Sequence, residues 1–249
     1  MRFATTLIAG TIVAGLAAGP TQAAPVIFSG IDNNGNESAL ALTPNSDAAR
    51  NNFFANLTGV GTETFESQSG SAPLNISFGV AGTATLTGAG SVVSVTPGTT
   101  NGFGRYSVPS ATSSRYWEVT AGGGGGSFGL TFSSPIAAFG FYGIDIGDFS
   151  GTVTLALTDT LNNVTNLAVP SAAVNQANAS VLYFGFYDTA TQYTSIAFNT
   201  TSGTGDVFAF DNFSIGSAQQ VVPTEAPEPI SVVLLGTGLF GIGLIRRRR

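Results

Sequence analysis

Thr152-Val153-Thr154-Leu155-Ala156-Leu157-Thr158 puts Val153, Leu155 and Leu157 on one parity and threonines on the other. That is the period of a strand with one face in a core and one in solvent. Upstream, Phe128, Leu130 and Phe132 repeat the pattern. From Thr62 onward, short runs rich in Val, Ile, Thr and Phe are broken by Gly, Pro, Asn or Ser about every eight to twelve residues, the rhythm of a sandwich. Strands are predicted at 62–66, 74–80, 83–87, 91–95, 115–120, 127–132, 136–142, 152–158, 181–187, 193–198 and 206–215. The expected fold is all-β: a jelly-roll-like antiparallel β-sandwich over residues 60–217. Residues 24–59 should carry one helix, capped at Asn45-Ser46-Asp47, with Ala49, Phe53, Phe54 and Leu57 along one face packed on the sheet that follows. The stretch 24–44 reads as solvated loop, and the glycines 122–126 as a hairpin tip. Asp32, Asn34 and Asn36 alternate like a calcium loop, but Glu37 and Thr43 replace the glycine and glutamate that an EF-hand requires.

Composition removes whole classes of chemistry. The 249 residues contain no cysteine, histidine or lysine. A cysteine nucleophile, a Ser-His-Asp triad and an ordinary zinc site are therefore excluded. Five of the eight arginines lie at the ends, and three against 14 acids leave the part between at a formal −11. Such a body repels nucleic acid.

The ends read as processing signals. Arg2, the apolar run from Leu7 to Ala18 and Thr21-Gln22-Ala23 form a secretion signal over 1–23, cut by signal peptidase after Ala23. After a linker at 218–226, residues 227–249 hold Pro227-Glu228-Pro229, a mostly apolar segment 230–245, and Arg246, Arg247, Arg248 and Arg249. As a helix, the apolar segment would be about 24 Å long, a marginal membrane span, with the arginines kept on the cytoplasmic side. Gly236-Thr237-Gly238-Leu239-Phe240-Gly241 inside it fits a dinucleotide fingerprint but follows no strand, so that reading fails.

The order of proline-glutamate-proline, apolar helix and basic cluster resembles the PEP-CTERM sorting signal of Gram-negative bacteria. The resemblance implies recognition by an exosortase, passage through the inner membrane, and a final place at the cell surface or in an extracellular matrix with exopolysaccharide or biofilm. The same residues would serve an uncleaved C-terminal anchor. The phenylalanine-rich runs at 138–142, 184–188 and 208–213, with Asp145-Ile146-Gly147-Asp148, resemble PEP-CTERM bodies, which are similar in turn to carbohydrate-binding jelly rolls.

Three chemistries stay open for the body. Tyr106 and Tyr116, beside Arg105, Arg115 and Glu118, are candidates for stacking on sugars, Tyr116 the better one because Trp117 shares the core parity of Val119. Asp145, Asp148 and Glu118 could supply a glycosidase pair. Asp211 lies where apolar residues change faces, so either a bulge falls at 210–212 or the strand is buried on both sides. Phe65-Glu66 and Phe210-Asp211 resemble the acids that hold a structural calcium in carbohydrate-binding jelly rolls; otherwise Asp211 accepts backbone hydrogen bonds in a turn. The leading expectation is a non-enzymatic exported envelope or matrix protein. The alternatives are a polysaccharide-binding module, a permanently anchored surface protein or a hydrolase.

Overall fold

A computed structural model of the protein describes residues 24–121, 126–147, 151–201 and 206–222. The cleavage site at Ala23, the Pro227-Glu228-Pro229 motif, the apolar segment 230–245 and the four terminal arginines lie outside the described residues. Among the described residues, no helix is long and apolar enough to cross a membrane.

The body is an antiparallel β-sandwich with one α-helix among the described residues. Its elements are β1 (Val26–Asp32), α1 (Pro44–Phe54), β2 (Gly61–Glu63), β3 (Gly70–Ser71), β4 (Leu74–Ser77), β5 (Thr83–Gly88), β6 (Ser91–Ser94) and β7 (Arg115–Ala121). They continue with β8 (Phe128–Ile136), β9 (Ala138–Ile144), β10 (Thr152–Asp159), β11 (Val164–Val169), β12 (Val181–Tyr187), β13 (Tyr193–Thr201) and β14 (Asp206–Gly216). The larger sheet runs β1-β12-β9-β14-β7-β6-β3, with β2 also on β14; the smaller runs β11-β10-β13-β8-β5-β4. From β7 to β10 and from β12 to β14, successive strands alternate between sheets, as in a jelly roll. Glycines 122–125 of the expected hairpin tip lie outside the described residues, and the strands before and after them, β7 and β8, belong to different sheets.

Between the sheets lies a phenylalanine-rich core. Phe128 stacks on Phe198 at 4.2 Å between ring centroids, and Phe141, Phe210 and Phe213 surround them. The predicted inward residues of β8 and β10 are buried here. A second apolar cluster covers the outer face of the larger sheet: Ala49 and Phe53 of α1 pack with Tyr106, Tyr116, Tyr142, Tyr183 and Ala209.

Several boundaries differ from expectation. Val26–Asp32 is a strand, not loop, because pairing with β12 along its length gives an edge to a run with no alternation to announce it. The helix begins at Pro44 after Thr43, and its first amides are capped from a distance. The Asp32 carboxylate accepts the N–H of Asn45 (3.0 Å) and Ser46 (2.8 Å) and the Ser46 hydroxyl (2.6 Å). Gly30 permits this approach, since a Cβ there would meet the Asn45 carbonyl oxygen at 2.2 Å. The helix packs on β1, β12 and β9 and not on the strands next in sequence. The start of the expected linker is also held: Val221 bridges to Leu57 and the Val222 amide donates to the Asn56 carbonyl. Strand β2 stops at Glu63 because Phe65, buried at φ 59°, turns the chain into the left-handed region.

Candidate functional site

The loop between β6 and β7 crosses the outer face of the larger sheet and decides which side chains meet solvent. Tyr106 anchors it, donating to the Ala179 carbonyl and accepting from the Leu40 amide, each at 3.1 Å. Tyr106 is 1% exposed and Tyr116 0%, so neither offers a face to a sugar. As alternation predicts, Trp117 points into the inter-sheet core and Tyr116 away from it. What lies on that other side is the second apolar cluster instead of water. Burial pushes both phenols well above their ordinary pKa.

Within the same loop, Phe103 is 67% exposed and is the only exposed aromatic ring among the described residues. It stands between Gly102 and Gly104, whose φ angles of 88° and 84° suit residues without a Cβ. Its support is ionic. Arg105 donates through Nε to Glu118 (3.2 Å) and through Nη1 to Asp145 (3.1 Å) and the Phe103 carbonyl (2.9 Å). The guanidinium carbon lies 5.5 Å from the Phe103 ring centroid. Asn101 accepts the Phe103 and Arg105 amides through Oδ1 and donates to Glu118 through Nδ2. Glu118 and Asp145 thus share one cation. Asp148 lies outside the described residues. Phe103 between two glycines is legible in the sequence, whereas the sequence reading named Tyr106 and Tyr116.

Glu66 and Asp211 do come together, with Ser107 between them. A bulge in β14 at Asp211 to Ser214, with Asn212 at φ 52°, opens a gap between the β7-paired and β2-paired halves of its edge. The loop fills that gap. Asp211 Oδ2 accepts the Ser107 hydroxyl (2.7 Å) and the Val108 amide (2.8 Å), and Oδ1 accepts the Asn212 amide (2.7 Å). Glu66 Oε1 accepts the amides of Ser114 and Arg115 and, at 3.5 Å, the Ser107 hydroxyl; Oε2 accepts the Ser114 hydroxyl. Burial pushes Asp211 up to about 8, against the lowering by Ser107, Val108 and Asn212. Glu66 is raised by burial, but the Ser114, Arg115 and Ser107 hydrogen bonds outweigh this and leave it below its ordinary value.

This donor set does not fit calcium. All four carboxylate oxygens already face N–H or O–H protons, where a cation would need oxygens. No group of three or more acidic side chains suited to a metal occurs among the described residues. Of the two readings open for Asp211, the geometry matches the acceptor of backbone hydrogen bonds, and the pair with Glu66 is a hydrogen-bonded hub that fastens the loop.

Beside this hub lies a cleft of about 410 Å³. Asp47 and Arg50 of α1 form one wall, Thr62 and Thr64 another, and Val108, Pro109 and Asn212 close it around Tyr142 of β9. Tyr142 donates to Asp47 Oδ1 at 2.6 Å, and Thr43 to Oδ2 at 3.0 Å. A second cavity, about 490 Å³, has Asp159 and Asp188 in its wall, but both carboxylates accept amides of their own turns, and Asp188 also accepts the Tyr193 hydroxyl.

No family model matches the chain, and no curated protein does. Among solved structures, the K2 adhesin domain of Lys-gingipain is similar at 17% identity and a TM-score of 0.40, over 63% of this chain and 97% of that one. A xylan-binding family 22 module from Paenibacillus barcinonensis is similar at 12% identity and 0.34, over 67% and 100%. A family 29 carbohydrate-binding module is similar at 19% and 0.31, over 55% and 96%. The solved structures that this chain is similar to thus include adhesin domains and carbohydrate-binding modules, at scores too low to carry an argument about ligand or mechanism.

Proposed function

We propose that the protein is an exported, non-enzymatic surface or matrix protein whose sandwich binds polysaccharide at the loop-covered face of its larger sheet. The observation that carries the reading is Phe103: the one exposed ring among the described residues, standing between two glycines beside an arginine that two carboxylates hold in place. An apolar ring face with hydrogen-bonding groups beside it is the equipment for stacking on a pyranose. A hydrolase is disfavoured because Asp211, whose carboxyl pKa is strongly raised, is 0% exposed and out of a substrate's reach. Export, exosortase processing and association with exopolysaccharide rest on the sequence of the two ends.

The test is retention of the full-length chain on the host's own exopolysaccharide. Wild type should be retained and Phe103→Ala weakened about tenfold, which corresponds to roughly 1.4 kcal/mol. Equal retention of the variant would remove Phe103 as the stacking group. Release of reducing ends would replace binding with hydrolysis, and a recovered chain still ending in Arg249 in the membrane fraction would replace processing with permanent anchoring.

A further inference from the structure

The three arginines of the body are not equivalent. Arg105 is consumed by Glu118, Asp145 and the Phe103 carbonyl, and Arg115 donates to the Gln68 carbonyl. Arg50 makes no ion pair with any described residue, and its hydrogen bonding is one 3.5 Å contact to Asn51 Oδ1. It is nevertheless held in place, because its guanidinium carbon lies 4.5 Å above the centroid of Phe54, which itself packs edge-on against buried Phe53 at 5.4 Å. A guanidinium lying on a ring keeps its in-plane N–H fork free, the geometry that meets a carboxylate with two parallel hydrogen bonds.

Arg50 lines the cleft, and the other polar groups there are spent in a particular way. Both Asp47 oxygens are taken by Tyr142 and Thr43, the Thr62 hydroxyl is paired with Ser214 at 2.8 Å, and Asn212 Nδ2 is given to the Val108 carbonyl at 2.6 Å. The carboxylate acceptors of the cleft are therefore used, while its cationic donors are not. At physiological salt, screening over about 8 Å keeps the distant negative charge of the body from overriding the half-buried Arg50 guanidinium, so that Asp47 is the acid it has beside it in the cleft.

We infer that this cleft binds a carboxylate-bearing sugar, the uronic acid unit of an acidic polysaccharide, with Arg50 as the carboxylate fork. This rests on the polysaccharide-binding reading above and adds the ligand's chemical class and a second contact point separate from Phe103.

Affinity electrophoresis of the full-length chain in gels containing polygalacturonate, its carboxyl-reduced form, or dextran sulfate tests it. Wild type should be retarded by polygalacturonate at least about tenfold more strongly than by the carboxyl-reduced polymer, and less as salt rises. Arg50→Gln should abolish that difference while keeping the wild-type melting temperature, and Arg50→Lys should restore part of it. Phe103→Ala should weaken binding to both forms. Unchanged retardation of Arg50→Gln by polygalacturonate would overturn the inference, and so would preference for dextran sulfate, which would assign the fork to sulfate esters. If neutral polymers retard wild type as well as polygalacturonate does, polysaccharide binding stands and this inference falls. If no polymer retards any form, this inference falls, while retention on the host's own exopolysaccharide still decides the binding reading.

Discussion

The outer faces of the two sheets start from the same strand alternation and end differently. On the smaller sheet, the outward residues of β10, Thr152, Thr154, Ala156 and Thr158, remain partly or fully exposed, as a one-sided strand should be. On the larger sheet, the outward residues Tyr116, Tyr142, Tyr183 and Ala209 are buried under α1 and the β6–β7 loop. Every strand residue in β9 and β12 is buried, so these strands have core on both sides. The lesson is that a second apolar layer brings buried polar groups with it. The tyrosine hydroxyls, Asp211 and the Arg105 network all lie on this covered face, and so do Phe103 and the Arg50 cleft.

Removing a ring from each layer should produce the largest losses of stability. Phe53→Ala in the outer cluster should cost about 3–5 kcal/mol in urea unfolding, as much as Phe198→Ala between the sheets. A cost for Phe53→Ala under about 1 kcal/mol would mean that the helix merely rests on the sheet.

The pH dependence sharpens the comparison next. Asp211 has a folded pKa raised to about 8, so the native state holds a proton that the unfolded chain has already released above its ordinary carboxylate pKa. Its contribution is therefore fully present at acid pH and is lost as pH rises toward 8, with a slope of at most about 1.4 kcal/mol per pH unit. The Ser107 hydroxyl has one proton; when Asp211 is protonated, Ser107 can accept from it and donate to Glu66. Glu66, shifted the other way, loses its contribution as pH falls through its lowered value. Chemical denaturation of Asp211→Asn between pH 5 and 8 should show that slope flattened; an unaltered slope would assign it to other groups.

Smaller effects follow. Asp32→Ala should cost about 0.5–2 kcal/mol by uncapping α1, read as a lower melting temperature. Calcium and chelator should leave the melting temperature of the wild-type chain unchanged, whereas a rise with calcium would reinstate a metal at Glu66 and Asp211. On the other outer face, Thr154→Ala should stay within about 0.5 kcal/mol.

Much of this architecture was legible in the residues themselves. Alternation in β8 and β10 announces a core on one side, and the face change around Asp211 announces either a bulge or burial on both sides, of which the register of β14 and β9 contains the bulge. The resemblance to a calcium site is what paired Glu66 with Asp211, and the other reading left Glu66 simply exposed; that the two share Ser107 was not read from the sequence. Period-2 reasoning assigns each side chain to a face and is local, so it works for any strand whose partner layer is the usual one. It cannot say whether the second face is wet. That depends on where a helix and a loop distant in sequence come to rest, which only tertiary packing decides. Tyr116 was placed on the correct side and given the wrong surroundings, and β1 went unread because its partner β12 lies far along the chain. By contrast, the absence of cysteine, histidine and lysine, the acidic balance and the apolar and basic runs at the two ends belong to composition and order alone. The exposure of Phe103, the sharing of Arg105 by two acids and the unspent fork of Arg50 exist only once the loop lies across the sheet, because each is a relation between residues that the chain itself holds apart.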